Sequence, residues 1–199
     1  MKKWTGVCLA LTMLVSALLI LPIHGATGIY DSVIRLHVLA NSDSDTDQAL
    51  KLKVRDAVLA GAETLLEGIT TREAAREVLE ENLGTLRTLA QEALAREGAP
   101  NTVAVTLGEE EYPRRTYEHA ALPAGEYLSL RVMIGEATGQ NWWCVLFPPM
   151  CLSAASSERE SACLAAGLSE GQYRFITQGT GAGYRVRFKL VEMVEDFFD

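Results

Sequence analysis

The sequence predicts an α+β domain, with one mixed or mostly antiparallel sheet covered by two long amphipathic helices. Three observations carry that reading. A single alternating stretch comes first, at Ser32 to Leu39. Apolar residues then recur at helical spacing as far as Gly98, and beyond Pro100 the period drops to two. The β-rich half also lacks the helical crossovers that a doubly wound parallel sheet needs, so hairpins should join most of its strands.

In the first stretch Ile34, Leu36 and Val38 alternate with Arg35 and His37, which predicts a half-buried strand at the centre of the sheet. Asn41 to Asp45 is a polar break. Ser44, followed three residues later by Asp47, has the spacing of a helix cap, and acids in a first turn suit the helix dipole. The helix itself presents Leu50, Val54, Ala57, Val58, Gly61 and Leu65 on one face, and these should bury against the strand. A second helix is expected from a cap at Thr70 and Glu73. Its stripe runs through Ala75, Val78, Leu79, Leu83, Leu86, Leu89, Ala90, Ala93 and Leu94, and it stops at Gly98 and Pro100.

Val103, Val105 and Leu107 begin the strand region. Gly108 to Pro113 is expected to turn, with Arg114 to Glu118 pairing back. Leu128 to Ile134 alternates, and Gly139 to Asn141 turns into a short strand, Trp142 to Phe147. Ser157 and Glu160 cap a short helix that runs through Ala166. Tyr173 to Thr177 is strand-like, and Tyr184 to Leu190 alternates again.

The N-terminus has a different grammar. Lys2 and Lys3 precede Val7 to Leu21, 15 residues without a charge, and then Pro22 and the small residues Gly25, Ala26 and Gly28. This is the layout of a secretory signal peptide. As a helix the run reaches about 22 Å at about 1.5 Å per residue, short of the roughly 30 Å of hydrocarbon that a spanning helix covers. The expectation is a signal over residues 1–26, cleaved or retained as an anchor, and one exported domain over 27–199. Cleavage leaves 173 of the 199 residues and takes away two lysines, so the net charge goes from −8 to −10. An acidic chain without a basic run argues against nucleic acid and anionic lipid as partners.

Several motifs reduce to local structure. Gly167-Leu168-Ser169-Glu170-Gly171 matches a nucleophile elbow, but that elbow needs a strand before it and a helix after it, with its histidine downstream. His24, His37 and His119 all lie upstream, so the stretch reads as a turn. Asp43-x-Asp45-x-Asp47 opens like a calcium loop, yet Gln48 and Val54 stand where glycine and glutamate are required. Gly179 to Gly183 precedes a strand and so lacks the helix start that holds a phosphate. His37 and His119 have no second ligand at metal spacing. No catalytic, metal-binding or cofactor-binding set emerges.

Cys144 and Cys151 flank Pro148 and Pro149, and a disulfide is the expected use of that pair in an exported protein. With Cys163 the exported part then holds an odd number of cysteines. Trp142 and Trp143 are adjacent on a strand and so face opposite ways. Either both are covered, or one of them, with Asn141 beside it, anchors a protein partner.

Two blocks carry a family resemblance. One is Ile34-Arg35-Leu36-His37-Val38-Leu39-Ala40-Asn41-Ser42-Asp43-Ser44, continued by Gln48-Ala49-Leu50-Lys51-Leu52-Lys53-Val54-Arg55-Asp56. The other is Asn141-Trp142-Trp143-Cys144-Val145-Leu146-Phe147-Pro148-Pro149-Met150-Cys151. Together they resemble the stage II sporulation protein R family of endospore-forming bacteria, over about Ile29 to Val191. The resemblance implies a non-catalytic signal made in the forespore and exported into the space between the two septal membranes. There it would trigger a membrane-embedded aspartic protease of the mother cell, which cleaves the pro-form of sigma factor E. It implies no cofactor and no small-molecule substrate. The rival from another class is an exported hydrolase or cell-wall-binding module, which would need a polar pocket joining His37 or His119 to carboxylates.

Overall fold

The computed structural model describes residues 28–117, 120–149 and 156–178. After a single helical turn at Tyr30–Ser32, the elements run β1 (Ile34–Leu39), α1 (Asp45–Leu66), α2 (Arg72–Glu81), α3 (Leu83–Arg96), β2 (Val103–Tyr112), β3 (Arg115–Thr116), β4 (Ala121–Leu122), β5 (Gly125–Ile134), β6 (Asn141–Phe147), α4 (Ser156–Ala165) and α5 (Glu170–Gln178). The α+β class and the mixed sheet are as expected. Four strands lie in the order β2-β5-β1-β6. β1 runs parallel to β5 and antiparallel to β6, and β2 is antiparallel to β5. The first strand is therefore interior.

One side of the sheet presents Ile34, Leu36 and Val38 with Leu128, Leu130, Val132 and Ile134. Leu50, Val54, Val58 and Ala62 of α1 and Leu86, Ala90 and Leu94 of α3 close over them. Leu65 is only partly buried at the margin of this core. The other side carries a second cluster, in which Val33, Tyr127 and Val145 meet Cys163, Leu168 and Ile176 from the α4–α5 region. This second cover changes the expectation for β1. A half-buried strand was predicted, yet Arg35 is 0% and His37 5% exposed.

The two predicted helices are three. The stripe from Ala75 to Leu94 crosses a break at Asn82, whose φ of −109° and ψ of 15° end α2 and start α3. The Asn82 amide donates to the Val78 carbonyl at 2.8 Å, a contact that favours leaving the helix. The α2 cap is Thr71 and not Thr70, because the Thr71 hydroxyl accepts from the Ala74 N–H. β2 also runs on through the expected Gly108 to Pro113 turn as far as Tyr112, its acids being held in ion pairs such as Arg72–Glu109. β3 accordingly pairs with β4 in a separate two-stranded ribbon, not back onto β2.

Tyr173 to Thr177 is helical, not strand-like. Ser169 and Gln172 form a reciprocal cap, the Ser169 N–H donating to the Gln172 amide oxygen and the Gln172 N–H to the Ser169 hydroxyl. The elbow-like motif is a helix start. The Val7 to Leu21 run, His24, His119, Cys151, the Gly179 to Gly183 turn and the Tyr184 to Leu190 strand all lie outside the described residues. Among the described residues no helix is long and apolar enough to cross a membrane.

The Asn41 to Asp47 acids serve as a staple. Ser44 caps α1, accepting from the Asp47 N–H at 3.2 Å. The Asp47 carboxylate in turn accepts from Asn41 and Ser42, and these bonds hold its pKa below the usual range. The Asn41 side-chain oxygen takes the Glu136 N–H, and the Asp43 carboxylate takes the Gln140 N–H. Gly135, at φ +54°, and Gly139 permit this approach, since a Cβ at either would collide with Asn41 or Ser42. Lys51 locks the same junction from α1 by donating to Gln48 and to the Gln140 carbonyl, and burial lowers its pKa.

Candidate functional site

The chemistry gathers on the side of the sheet away from α1–α3. Strand pairing places four residues in a row across it: Thr106 on β2, Arg131 on β5, His37 on β1 and Trp143 on β6. The row above it is Ala104, Met133, Leu39 and Asn141.

The Glu110 carboxylate accepts a hydrogen bond from His37 Nδ1 at 2.8 Å. Arg131 Nε lies 3.4 Å from the same carboxylate oxygen. The imidazole stacks on Trp143 at 5.3 Å between centroids, and the Arg115 guanidinium covers that indole at 3.8 Å. His37 Nε2, Glu110 Oε2, and the Nε atoms of Arg115 and Arg131 are buried without a hydrogen bond. Unpaired buried polar atoms are costly, so their clustering in one place marks a site.

Beneath this row Arg35 is enclosed by tyrosines. Its guanidinium lies 4.0 Å from the Tyr112 ring, 5.0 Å from Tyr127 and 5.7 Å from Tyr117. It donates to the Tyr117 hydroxyl and to the Cys144 carbonyl. Ring faces and these acceptors offset the cost of burying the charge. Burial raises the pKa of all three phenols, so each is neutral at physiological pH. Tyr112 shares a 2.6 Å hydrogen bond with Ser129.

Trp142 lies on the helix side of the sheet, packed against the main core and covered by Arg55 at 4.9 Å. Trp143 lies on the arginine side. Both are half-buried and Asn141 is exposed. Each tryptophan is thus covered on one face by an arginine, an arrangement between the fully covered and the fully exposed expectations. Cys144 is held in a disulfide, and Cys163 is a buried thiol.

Sequence reasoning missed Arg35, Glu110, Arg115 and Arg131. A signal was present for the strand residues: Arg35 and His37 alternate with apolar residues in β1, and Arg131 stands between Leu130 and Val132 in β5. The pattern does not show whether that side faces water or a second layer.

A buried histidine–glutamate pair is half of a general-base arrangement. Among the described residues, however, no serine, threonine or cysteine hydrogen-bonds His37. The fold and site define an α+β domain that carries an arginine–aromatic sheet face, with no histidine-activated hydroxyl or thiol among the described residues. The family model of stage II sporulation protein R matches residues 30–157, and the chain belongs to that family. The stage II sporulation protein R of Bacillus subtilis (strain 168) is 33% identical over 223 aligned residues, which cover 100% of each chain. No solved structure matches. The matched span contains all six strands and every residue of the cluster around His37.

Proposed function

We propose that the chain is an exported signal between compartments during endospore formation. It activates a membrane-embedded aspartic protease and so triggers processing of the sigma factor E precursor. Membership of the sporulation family over residues 30–157 is the observation that carries this reading. The signal-like N-terminus supports export into the space between the septal membranes, and a Cys144–Cys151 bond suits that compartment.

Trp143 and Asn141 are the contact residues, because they stand on the arginine side, while Trp142 is committed to the helix-side core. The test is complementation of a strain lacking its own family member, blotting both the exported protein and the processed sigma factor. Trp143→Ala should lower processing at normal protein level. A Trp anchor contributes about 2 kcal/mol or more, roughly a thirtyfold change in affinity. Trp142→Ala should instead lower the protein level, by roughly half of the about 3–5 kcal/mol typical of a fully buried tryptophan. Full processing by Trp143→Ala would remove the anchor, and failure of the unaltered chain to restore processing would remove the signalling role itself.

The His37–Glu110 pair favours the hydrolase reading as the second one. Release of soluble fragments from cell wall by the purified protein, lost in Glu110→Gln, would establish it.

A further inference from the structure

Among the described residues, the arginine side of the sheet is covered over only part of its area. Tyr127, Ser129, Arg35 and Val145 are sealed beneath the second layer. One row on, cover gives out: Thr106 is exposed and the Arg131 side chain is 39% exposed. In the row beyond, Ala104 and Asn141 are exposed, and Met133 and Leu39 are partly so. The result is a shallow platform of small and apolar residues bordered by Arg131, Trp143 and Arg115.

Its charge is opposite to that of the whole chain. The chain carries −8, yet this side of the sheet holds Arg115 over the Trp143 ring and Arg131 paired with Glu110, with Arg35 buried beneath them. The Glu110 carboxylate already divides one oxygen between His37 and Arg131. Arg115 Nε is buried without a hydrogen bond, and Arg131 Nε has the 3.4 Å ion-pair contact to Glu110 and no hydrogen bond. A platform of this kind complements a segment with a carboxylate between apolar side chains and repels a basic one.

We propose that this open half of the sheet is the docking surface for the protease, and that it receives an acidic, apolar-flanked segment exposed on the protease's outer face. The inference rests on the signalling role proposed above and adds where the contact lies and what chemistry it recognises.

Thr106 gives a test that keeps the Arg131 side chain itself, since it is exposed and stands directly across from Arg131. Thr106→Glu offers Arg131 a carboxylate from its neighbouring strand, and Thr106→Lys adds comparable bulk with the opposite sign. Full-length protein would be titrated against the detergent-solubilised protease, with thermal melting to verify folding of each variant. The expected result is binding weakened about tenfold or more by Thr106→Glu, retained by Thr106→Lys, and reduced by salt in the unaltered protein. Equal binding by both variants would overturn the docking surface while leaving the signalling role standing. No binding by the unaltered protein would overturn both. A monomer–dimer shift in Thr106→Glu, or an effect that disappears once residues 191–199 are removed, would assign the surface to a second copy or to the chain's own acidic end, against the proposal.

Discussion

Arg35 and Leu36 are neighbours in the chain, both fully buried, and they lie on opposite sides of one strand. Leu36 is met by aliphatic side chains, and its burial stabilises the fold by about 1.5–3 kcal/mol whatever the exact shape of its neighbours. Arg35 is met by three tyrosine rings, a hydroxyl and a carbonyl, and such burial at best breaks even against its desolvation. The helix side carries the larger apolar core of the sheet. The arginine side adds a smaller buried cluster around Val33, Tyr127 and Val145, and Arg35 itself adds little to stability. His37, Glu110, Arg35, Arg115 and Arg131 all keep a buried side-chain atom without a hydrogen bond on that side.

The comparison can be broken most directly on the helix side. Val54→Asp places a carboxylate in the fully buried core under β1, and the purified protein should show no cooperative melting. A melting curve like that of the parent would refute the packing of α1. Substitutions at the two chain neighbours sharpen the contrast. Leu36→Ala should cost about 2–5 kcal/mol in urea unfolding. Arg35→Met, which trades a buried charge for a side chain of similar length, should shift stability by about 1 kcal/mol or less. If the arginine substitution costs more than the leucine one, the division of labour between the sides is wrong.

A small, pH-dependent effect belongs to the staple at the end of the sheet. The folded-state pKa of Asp47 is lowered, first by its bond from Ser42 and then by that from Asn41. Ionised Asp47 thus contributes stability that is present above its unfolded value of about 3.9 and is lost as pH falls through the lower folded value. Asp47→Asn should be less stable than the parent by about 1 kcal/mol at neutral pH. The gap should narrow on acidification below about pH 4, as followed by melting across that range.

Legibility in the sequence followed the range of the interactions involved. The cap of α1 and the alternation of β1 are local, and both are present where the sequence predicts them. Asn82 was hidden because Leu79, Leu83 and Leu86 keep helical spacing across the break, and only the side-chain bond to Val78 reveals the interruption. The acidic half of β2 reads as a turn, since Glu109, Glu110 and Glu111 are poor strand formers by composition. Glu109 is held by Arg72 and Glu110 by His37 and Arg131, from three other elements. Asn141, Trp142 and Trp143 were conspicuous by composition alone. Their sides of the sheet were fixed by pairing to Leu39, Val38 and His37, a register that no local pattern encodes.

The strand order also bears on when the chain can fold. β1 takes both of its neighbours, β5 and β6, from the far half of the sequence, with Ile34 matched to Leu128 and Leu39 to Asn141. Ordering so long a loop must precede any reward from those contacts, which slows assembly. During synthesis the first strand has no edge to join until the fifth has been made, and its second neighbour follows only with the sixth. A chain threaded N-terminus first through a membrane channel would stay unfolded for most of its passage, and so remain fit to pass.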